Sequence, residues 1–109
     1  MTREFGRNEN GERHVLRVGD HFDVVLSETA SAGYQWTPVS IPSVVKLTDH
    51  GSHADLDRPG ASASHRFSFR VEKADSGTLV LGLTRAWEQE QAPADTYELE
   101  IVGSETKHK

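Results

Sequence analysis

Residues 65–72 read His-Arg-Phe-Ser-Phe-Arg-Val-Glu, and hydrophobic and polar residues alternate along this stretch. Phe67, Phe69 and Val71 fall on one face of an extended chain, because successive side chains of a β-strand point to opposite sides. An α-helix would instead repeat its hydrophobic positions roughly every 3.6 residues. The stretch therefore predicts a β-strand with one buried face and one polar face.

The same alternation recurs along most of the chain, with turn-forming residues such as Asp75-Ser76-Gly77 between the runs. The predicted strands cover residues 14–18, 21–26, 34–38, 44–48, 65–72, 78–84 and 97–101. No stretch has a helical period long enough to predict a helix. About seven or eight short strands predict an all-β, immunoglobulin-like antiparallel β-sandwich. The sequence contains no cysteine, so this sandwich has no disulfide.

A chain of 109 residues predicts one domain. We expect residues 1–12 to be a flexible polar lead-in, residues 13–103 to form the sandwich and residues 104–109 to be a flexible tail. We also expect residues 49–64 to form a long connection, because they lack a hydrophobic pattern. Connections presented by a rigid scaffold often carry function.

Composition and motifs exclude several classes of function. The 17 acidic residues outnumber the 12 basic ones, so neither nucleic acid nor an anionic membrane is an expected partner. Apolar runs are too short to span a bilayer. Phosphate-binding loops, HExxH and nucleophile-elbow motifs are absent from the sequence, so we expect neither an enzyme nor a cofactor. The first residues lack the apolar segment of a signal peptide, so we expect a cytoplasmic protein or an exported one without its leader.

The histidines offer a weak metal-site hypothesis. His50 and His53 are three residues apart, close to three aspartates, and this residue set can bind a metal ion. An irregular loop does not preorganise such ligands, so we interpret the segment as a solvated acidic loop without a metal. His21 and His65 lie within predicted strands next to polar positions, and we expect both on the surface.

The two tryptophans differ in their surroundings. Trp36 lies two residues after Tyr34 on one face of a short strand, which is typical of a sandwich core. Trp87 follows a strand and precedes Glu-Gln-Glu. A large aromatic side chain among charged residues at a strand end is a candidate binding anchor. The alternative is that Trp87 folds back over the end of the sandwich.

Three segments carry a family pattern in the same order and at the same separations. The first is Leu-Ser-Glu-Thr-Ala-Ser-Ala-Gly-Tyr-Gln-Trp at residues 26–36, the second Gly-Ala-Ser-Ala at 60–63, and the third Arg-Ala-Trp-Glu at 85–88. Over about residues 15–102 the chain thereby resembles the chagasin family of cysteine-peptidase inhibitors. The corresponding family patterns are Asn-Pro-Thr-Thr-Gly-Tyr/Phe followed by x-Trp, Gly-x-Gly-Gly, and Arg-Pro-Trp/Phe.

This resemblance implies a fold and a function. The three loops would connect strands B–C, D–E and F–G of an immunoglobulin-like sandwich and cluster at one end. They would reversibly and tightly occlude the cleft of a papain-like cysteine peptidase, while the inhibitor performs no chemistry and needs no cofactor. We expect a monomer. The implied peptidase-binding residues are Thr29, Ala30, Ser31, Ala32, Gly33, Tyr34, Gly60, Ala61, Ser62, Ala63, Arg85, Ala86 and Trp87.

Two other functions remain open at this point. A non-inhibitory immunoglobulin-like module can use the same loop end for adhesion or glycan contact. A metal-binding or enzymatic domain would depend on His50 and His53. Trp87 supports the first alternative as well as the inhibitor, because an exposed aromatic ring can contact either a protein or a sugar.

Overall fold

The computed structural model describes residues 2–28, 34–54, 63–85 and 93–105, and these residues form eight β-strands. The strands are β1 (Thr2–Phe5), β2 (Arg13–Arg17), β3 (His21–Glu28), β4 (Tyr34–Ser40), β5 (Val45–Ala54), β6 (Ala63–Val71), β7 (Ser76–Arg85) and β8 (Asp95–Ser104). A single 3-10 turn at Arg7–Glu9 is the one helical element in these ranges. Among the same residues, no helix has the length and apolar character needed to cross a membrane.

Two four-stranded sheets form a sandwich, as predicted from the alternation. The strand order is β1-β3-β6-β5 in the first sheet and β2-β8-β7-β4 in the second. The pairs β3–β6, β5–β6, β4–β7 and β7–β8 are antiparallel, whereas β1 and β2 pair in parallel with β3 and β8. The chain crosses from the first sheet to the second after β1, so β1 is an edge strand of the first sheet and β2 an edge strand of the second.

The core lies between the two sheets and is built from the alternating positions. Phe67, Phe69 and Val71 are fully buried, as predicted from the stretch at residues 65–72. Trp36 is 2% exposed, which confirms its assignment to the core. The facing sheet contributes Leu79, Leu81, Tyr97, Leu99 and Ile101, all fully buried.

The N-terminal residues differ from the predicted flexible lead-in. Residues 2–5 form β1, and Phe5 is 3% exposed with its ring 5.7 Å from that of Phe22. Arg66 on β6 holds the strand further, because its guanidinium lies 3.1 Å from Glu4 and 2.6 Å from Asp23. Residues 2–5, which the sequence predicts to be part of the lead-in, therefore form an edge strand paired with β3. Four residues with one buried hydrophobic side chain give too short a pattern to predict a strand.

The connection expected at residues 49–64 is also shorter than predicted. β5 continues to Ala54 and β6 begins at Ala63, and these two residues pair with each other. Backbone pairing with β6 extends β5 although the residues after Leu47 are mostly polar. The connection between the two strands is therefore residues 55–62, which lie outside the described residues.

Candidate functional site

Three connections start from the same end of the sandwich. In the first sheet, Ala63 pairs with both Glu28 and Ala54; in the second sheet, Tyr34 pairs with Arg85. The link from Glu28 to Tyr34 is too short to reach the far end of the sandwich, since an extended chain spans at most about 3.6 Å per residue. These five residues therefore define one rim, the loop end. The connections at residues 29–33, 55–62 and 86–92 all begin there.

Trp36 joins the two sheets just below the first connection. Its indole N–H donates a hydrogen bond of 2.9 Å to the carbonyl oxygen of Ser27. Ser27 is on β3 and Trp36 on β4, so this bond bridges the strands that the connection at residues 29–33 links. The buried indole consequently fixes the separation of the two ends of that connection.

Arg85 and Tyr34 link the bases of the first and third connections. The guanidinium carbon of Arg85 lies 4.3 Å from the centroid of the Tyr34 ring, which is a cation–π contact. The contact therefore holds the charged end of Arg85 beside the Tyr34 ring. Two residues that the sequence singled out for binding are thus placed side by side at the loop end.

The other base of the third connection is held by backbone pairing and by the N-terminal segment. Ala94 N–H donates to the Leu83 carbonyl at 2.8 Å.

Asp95 accepts a hydrogen bond from Arg7, which belongs to the 3-10 turn after β1. Arg7 also lines a cavity of about 220 Å³ with Leu26, Ser27 and Trp36. Sequence reasoning missed Arg7, because no pattern indicates that residues 6–12 cross the sandwich near this end.

His65 corrects the surface assignment made from sequence. It is 1% exposed, and its ring stacks on Phe67 with centroids 4.3 Å apart. The alternation of Phe67, Phe69 and Val71 already assigned position 65 to the buried face, but the polarity of histidine suggested the opposite. His21 is exposed, as expected.

The metal hypothesis gains no ligand set from the structure. His50 lies on β5, and its Nδ1 is 3.3 Å from Nε2 of His65. The side chain of His53 lies outside the described residues. Among the residues that are described, no group of three or more histidine, aspartate or glutamate side chains could hold a metal ion.

The predicted peptidase-binding residues divide into two sets. Tyr34, Ala63 and Arg85 are described and lie at the loop end. The remaining ten fall within the three connections and lie outside the described residues: Thr29, Ala30, Ser31, Ala32, Gly33, Gly60, Ala61, Ser62, Ala86 and Trp87. What the structure adds is the common origin of the three connections that contain them.

The described strands thus form a sandwich that brings the bases of three connections to one rim, as in proteins that present loops on a rigid scaffold. A model of the chagasin family of peptidase inhibitors (I42) matches residues 15–101. The chain therefore belongs to the chagasin family, whose members inhibit peptidases and are not enzymes. No curated protein sequence matches the chain significantly.

Two solved structures share the fold at low sequence identity. One is the crystal structure of the cysteine protease inhibitor EhICP2 from Entamoeba histolytica, with a TM-score of 0.81 and 19% identity. That match covers 93% of this chain and 94% of EhICP2. The other is the solution structure of Amebosin, with a TM-score of 0.77 and 18% identity over 95% of this chain and 99% of Amebosin.

Proposed function

We propose that this chain is a reversible, tight-binding inhibitor of papain-like cysteine peptidases, and that its three connections at the loop end jointly occlude the active-site cleft. The observation that carries the proposal is the common origin of the three connections at Glu28, Tyr34, Ala54, Ala63 and Arg85. Membership of the chagasin family supports peptidase inhibition. The structural similarity to EhICP2, a cysteine protease inhibitor, supports the choice of cysteine peptidases.

The first connection has the composition of a wedge. A papain-like active site is a cleft with a thiolate–imidazolium pair at its centre. Residues 29–33 are Thr-Ala-Ser-Ala-Gly, and side chains this small can enter a narrow cleft. The Ser31 hydroxyl can donate a hydrogen bond at the catalytic pair, and Gly33 permits a close approach of the backbone. The wedge blocks the cleft without presenting a well-placed scissile carbonyl.

The other two connections would hold the wedge in place. Trp87 supplies a broad, stiff anchor for an apolar patch beside the cleft, and Arg85 supplies a forked donor for a carboxylate or carbonyl oxygen. Gly60–Ala63 can pair backbone to backbone on the other side. The Trp36–Ser27 bond fixes the base of the wedge and so lowers the ordering entropy of binding.

Titration of papain and a cathepsin-L-like peptidase tests the proposal, with a serine peptidase as the control enzyme. We expect stoichiometric inhibition of the two cysteine peptidases and none of the serine peptidase. We also expect the chain to elute as a monomer and to form a 1:1 complex. Failure to inhibit any papain-like peptidase would refute the proposal. Binding of a glycan instead, lost in Trp87→Ala, would support the adhesion module.

Trp87→Ala tests the anchor. As for a central aromatic hot spot, we expect a loss of about 2–4 kcal/mol of binding free energy, which is roughly 30-fold to 1,000-fold in the inhibition constant. Val15→Ala is the matched control, because Val15 is an exposed hydrophobic side chain on β2, away from the loop end. An unchanged inhibition constant for a folded Trp87→Ala variant would contradict the assigned role.

Ser31→Asp tests whether the first connection enters the cleft. A larger, charged side chain at the tip would have to be desolvated there, so we expect inhibition to weaken by at least about 2 kcal/mol. Ser76→Asp adds the same charge to an exposed position at the start of β7, at the opposite end of the sandwich, and should change nothing. Equal potency of the two variants would show that residues 29–33 stay outside the cleft.

A further inference from the structure

The segment between β1 and β2 contains the dipeptide Asn10–Gly11, and both of its residues are hydrogen-bonded to β8. Oδ1 of Asn10 accepts a hydrogen bond of 2.8 Å from the Glu98 N–H, and the Gly11 N–H donates one of 2.7 Å to the Glu98 carbonyl oxygen. Gly11 has a φ of 84°, in the left-handed region that glycine adopts without steric cost. The fold therefore uses both residues, the first as an acceptor and the second for its conformational freedom.

The same dipeptide carries the atoms of an intramolecular reaction, the deamidation of asparagine. The backbone nitrogen of Gly11 attacks Cγ of Asn10, so that a bond forms between these two atoms and the bond from Cγ to Nδ2 breaks. Ammonia leaves with the proton of the Gly11 N–H, and a cyclic succinimide remains. Water then opens the ring at one of its carbonyls and leaves aspartate or isoaspartate at position 10. The water oxygen stays in the new carboxylate, one water proton returns to the Gly11 nitrogen, and the other is released.

Asn8 provides an internal comparison, because Asn8 and Asn10 are the two asparagines of the chain. Both residues are exposed, so water reaches both amides. The residue after Asn8 is Glu9, whose side chain hinders the approach of its backbone nitrogen to the amide carbon. Gly11 has no Cβ and offers no such hindrance. In an unfolded chain, the reaction should therefore be faster at Asn10 than at Asn8.

The contacts with Glu98 oppose the reaction in the folded chain. The nitrogen of Gly11 cannot attack while its N–H is bonded to the Glu98 carbonyl, and the Asn10 amide cannot turn toward it while Oδ1 is held by the Glu98 N–H. Ring closure therefore requires a local opening that breaks both bonds. Two further hydrogen bonds hold the segment to β8 on either side, from the Tyr97 hydroxyl to the Gly6 carbonyl at 2.8 Å and from the Glu100 N–H to the Glu12 carbonyl at 3.0 Å.

We infer that Asn10 is the principal deamidation site of this chain, and that its pairing with Glu98 suppresses the reaction until the segment opens. This inference does not depend on the proposed function. The two products differ in their effect on the segment. Aspartate at position 10 still offers an oxygen to the Glu98 N–H, whereas isoaspartate inserts a methylene group into the backbone and moves Gly11 out of register with β8.

Mass spectrometry of the full chain tests the site and its suppression. The folded chain and the chain unfolded in guanidinium chloride are incubated at the same mildly alkaline pH and temperature and then digested with trypsin. Cleavage after Arg7 and Arg13 places both asparagines in one peptide, and fragmentation of this peptide locates the change. In the unfolded chain we expect Asn10 to react at least roughly tenfold faster than Asn8, and folding to slow Asn10 by at least roughly tenfold.

Asn10→Gln is the matched control, because it keeps an amide but lengthens the side chain, so ring closure is less favourable. This variant should lose most of the deamidation from the peptide of the unfolded chain. A reaction at Asn8 that is as fast as the one at Asn10 in the unfolded chain would overturn the assignment of the site.

Amide hydrogen exchange at Gly11 in the folded chain provides the second readout, because exchange and ring closure both require the Gly11 N–H to leave Glu98. We expect this amide to exchange at least roughly tenfold more slowly than its intrinsic rate. An unprotected Gly11 amide, or deamidation of the folded chain at the rate of the unfolded one, would overturn the suppression by Glu98.

Discussion

Trp36→Phe tests the contact that joins the sheets at the base of the first connection. Phenylalanine keeps an aromatic ring in the core but has no N–H to donate to Ser27. Loss of this partly buried hydrogen bond should cost about 1 kcal/mol, because water can replace the donor only in part. The smaller ring removes roughly 40 Å³ of buried volume, which costs about 1 kcal/mol more. Together these predict a fall of about 2 kcal/mol in the free energy of unfolding.

Urea denaturation followed by far-ultraviolet circular dichroism measures this change, and a thermal melt should show a decrease of roughly 10 °C in Tm. Gln35→Ala is the control, since Gln35 is the exposed neighbour on β4 and should change stability by less than about 0.5 kcal/mol. Weaker inhibition by Trp36→Phe at a temperature where it is fully folded would show that the contact also positions residues 29–33. A Trp36→Phe variant as stable as Gln35→Ala would show that neither the hydrogen bond to Ser27 nor the larger ring contributes to stability.

Two further predictions concern packing and pH. Gly103→Ala should lower the free energy of unfolding by about 3 kcal/mol in urea denaturation, because a Cβ would lie 1.9 Å from the Lys73 carbonyl oxygen. Gly51→Ala is the control and should be nearly neutral, because no described atom lies within 4 Å of a Cβ at that position. Equal stabilities of the two variants would contradict this prediction. Burial raises the pKa of Tyr97, whose hydroxyl donates to the Gly6 carbonyl at 2.8 Å, so the folded chain keeps a proton that the unfolded chain loses. The contribution of Tyr97 to stability should therefore be constant below about pH 10 and fall above it. The alkaline loss of stability should be smaller in Tyr97→Phe, and identical alkaline profiles would exclude Tyr97 as its cause.

Hydrophobic alternation predicted β3, β6, β7 and β8 with their buried faces, and shorter apolar segments between turn-forming residues predicted β2, β4 and β5. In a strand with one buried face, hydrophobic residues occupy every second position, because successive side chains of the pleated chain point to opposite sides. Phe67, Phe69 and Val71 therefore identify both the strand and its inner face. The pattern fails where burial is incomplete. β1 has one buried hydrophobic residue, Phe5, and the outer half of β5 is held mainly by backbone pairing to β6.

The candidate site could be predicted in part. The three segments could be found from sequence because they match the family patterns in the same order and at the same separations. The contacts that set the bases of these connections were not predictable. The Arg7–Asp95 contact joins residues that are far apart in sequence. The Trp36–Ser27 bond uses a backbone carbonyl, which every residue has. Neither kind of contact leaves a local pattern in the sequence. His65 was misplaced because its polarity was weighed above its position.

Joint occlusion of a peptidase cleft by three connections at one rim can be measured through backbone amide shifts of the isotope-labelled chain. The shifts are recorded with and without papain whose catalytic cysteine has been replaced. If all three connections enter or flank the cleft, the largest changes fall in residues 29–33, 55–62 and 86–92, with smaller ones at Tyr34 and Arg85. Changes centred on the turns at residues 18–20, 41–44 and 72–75, at the other end of the sandwich, would contradict it.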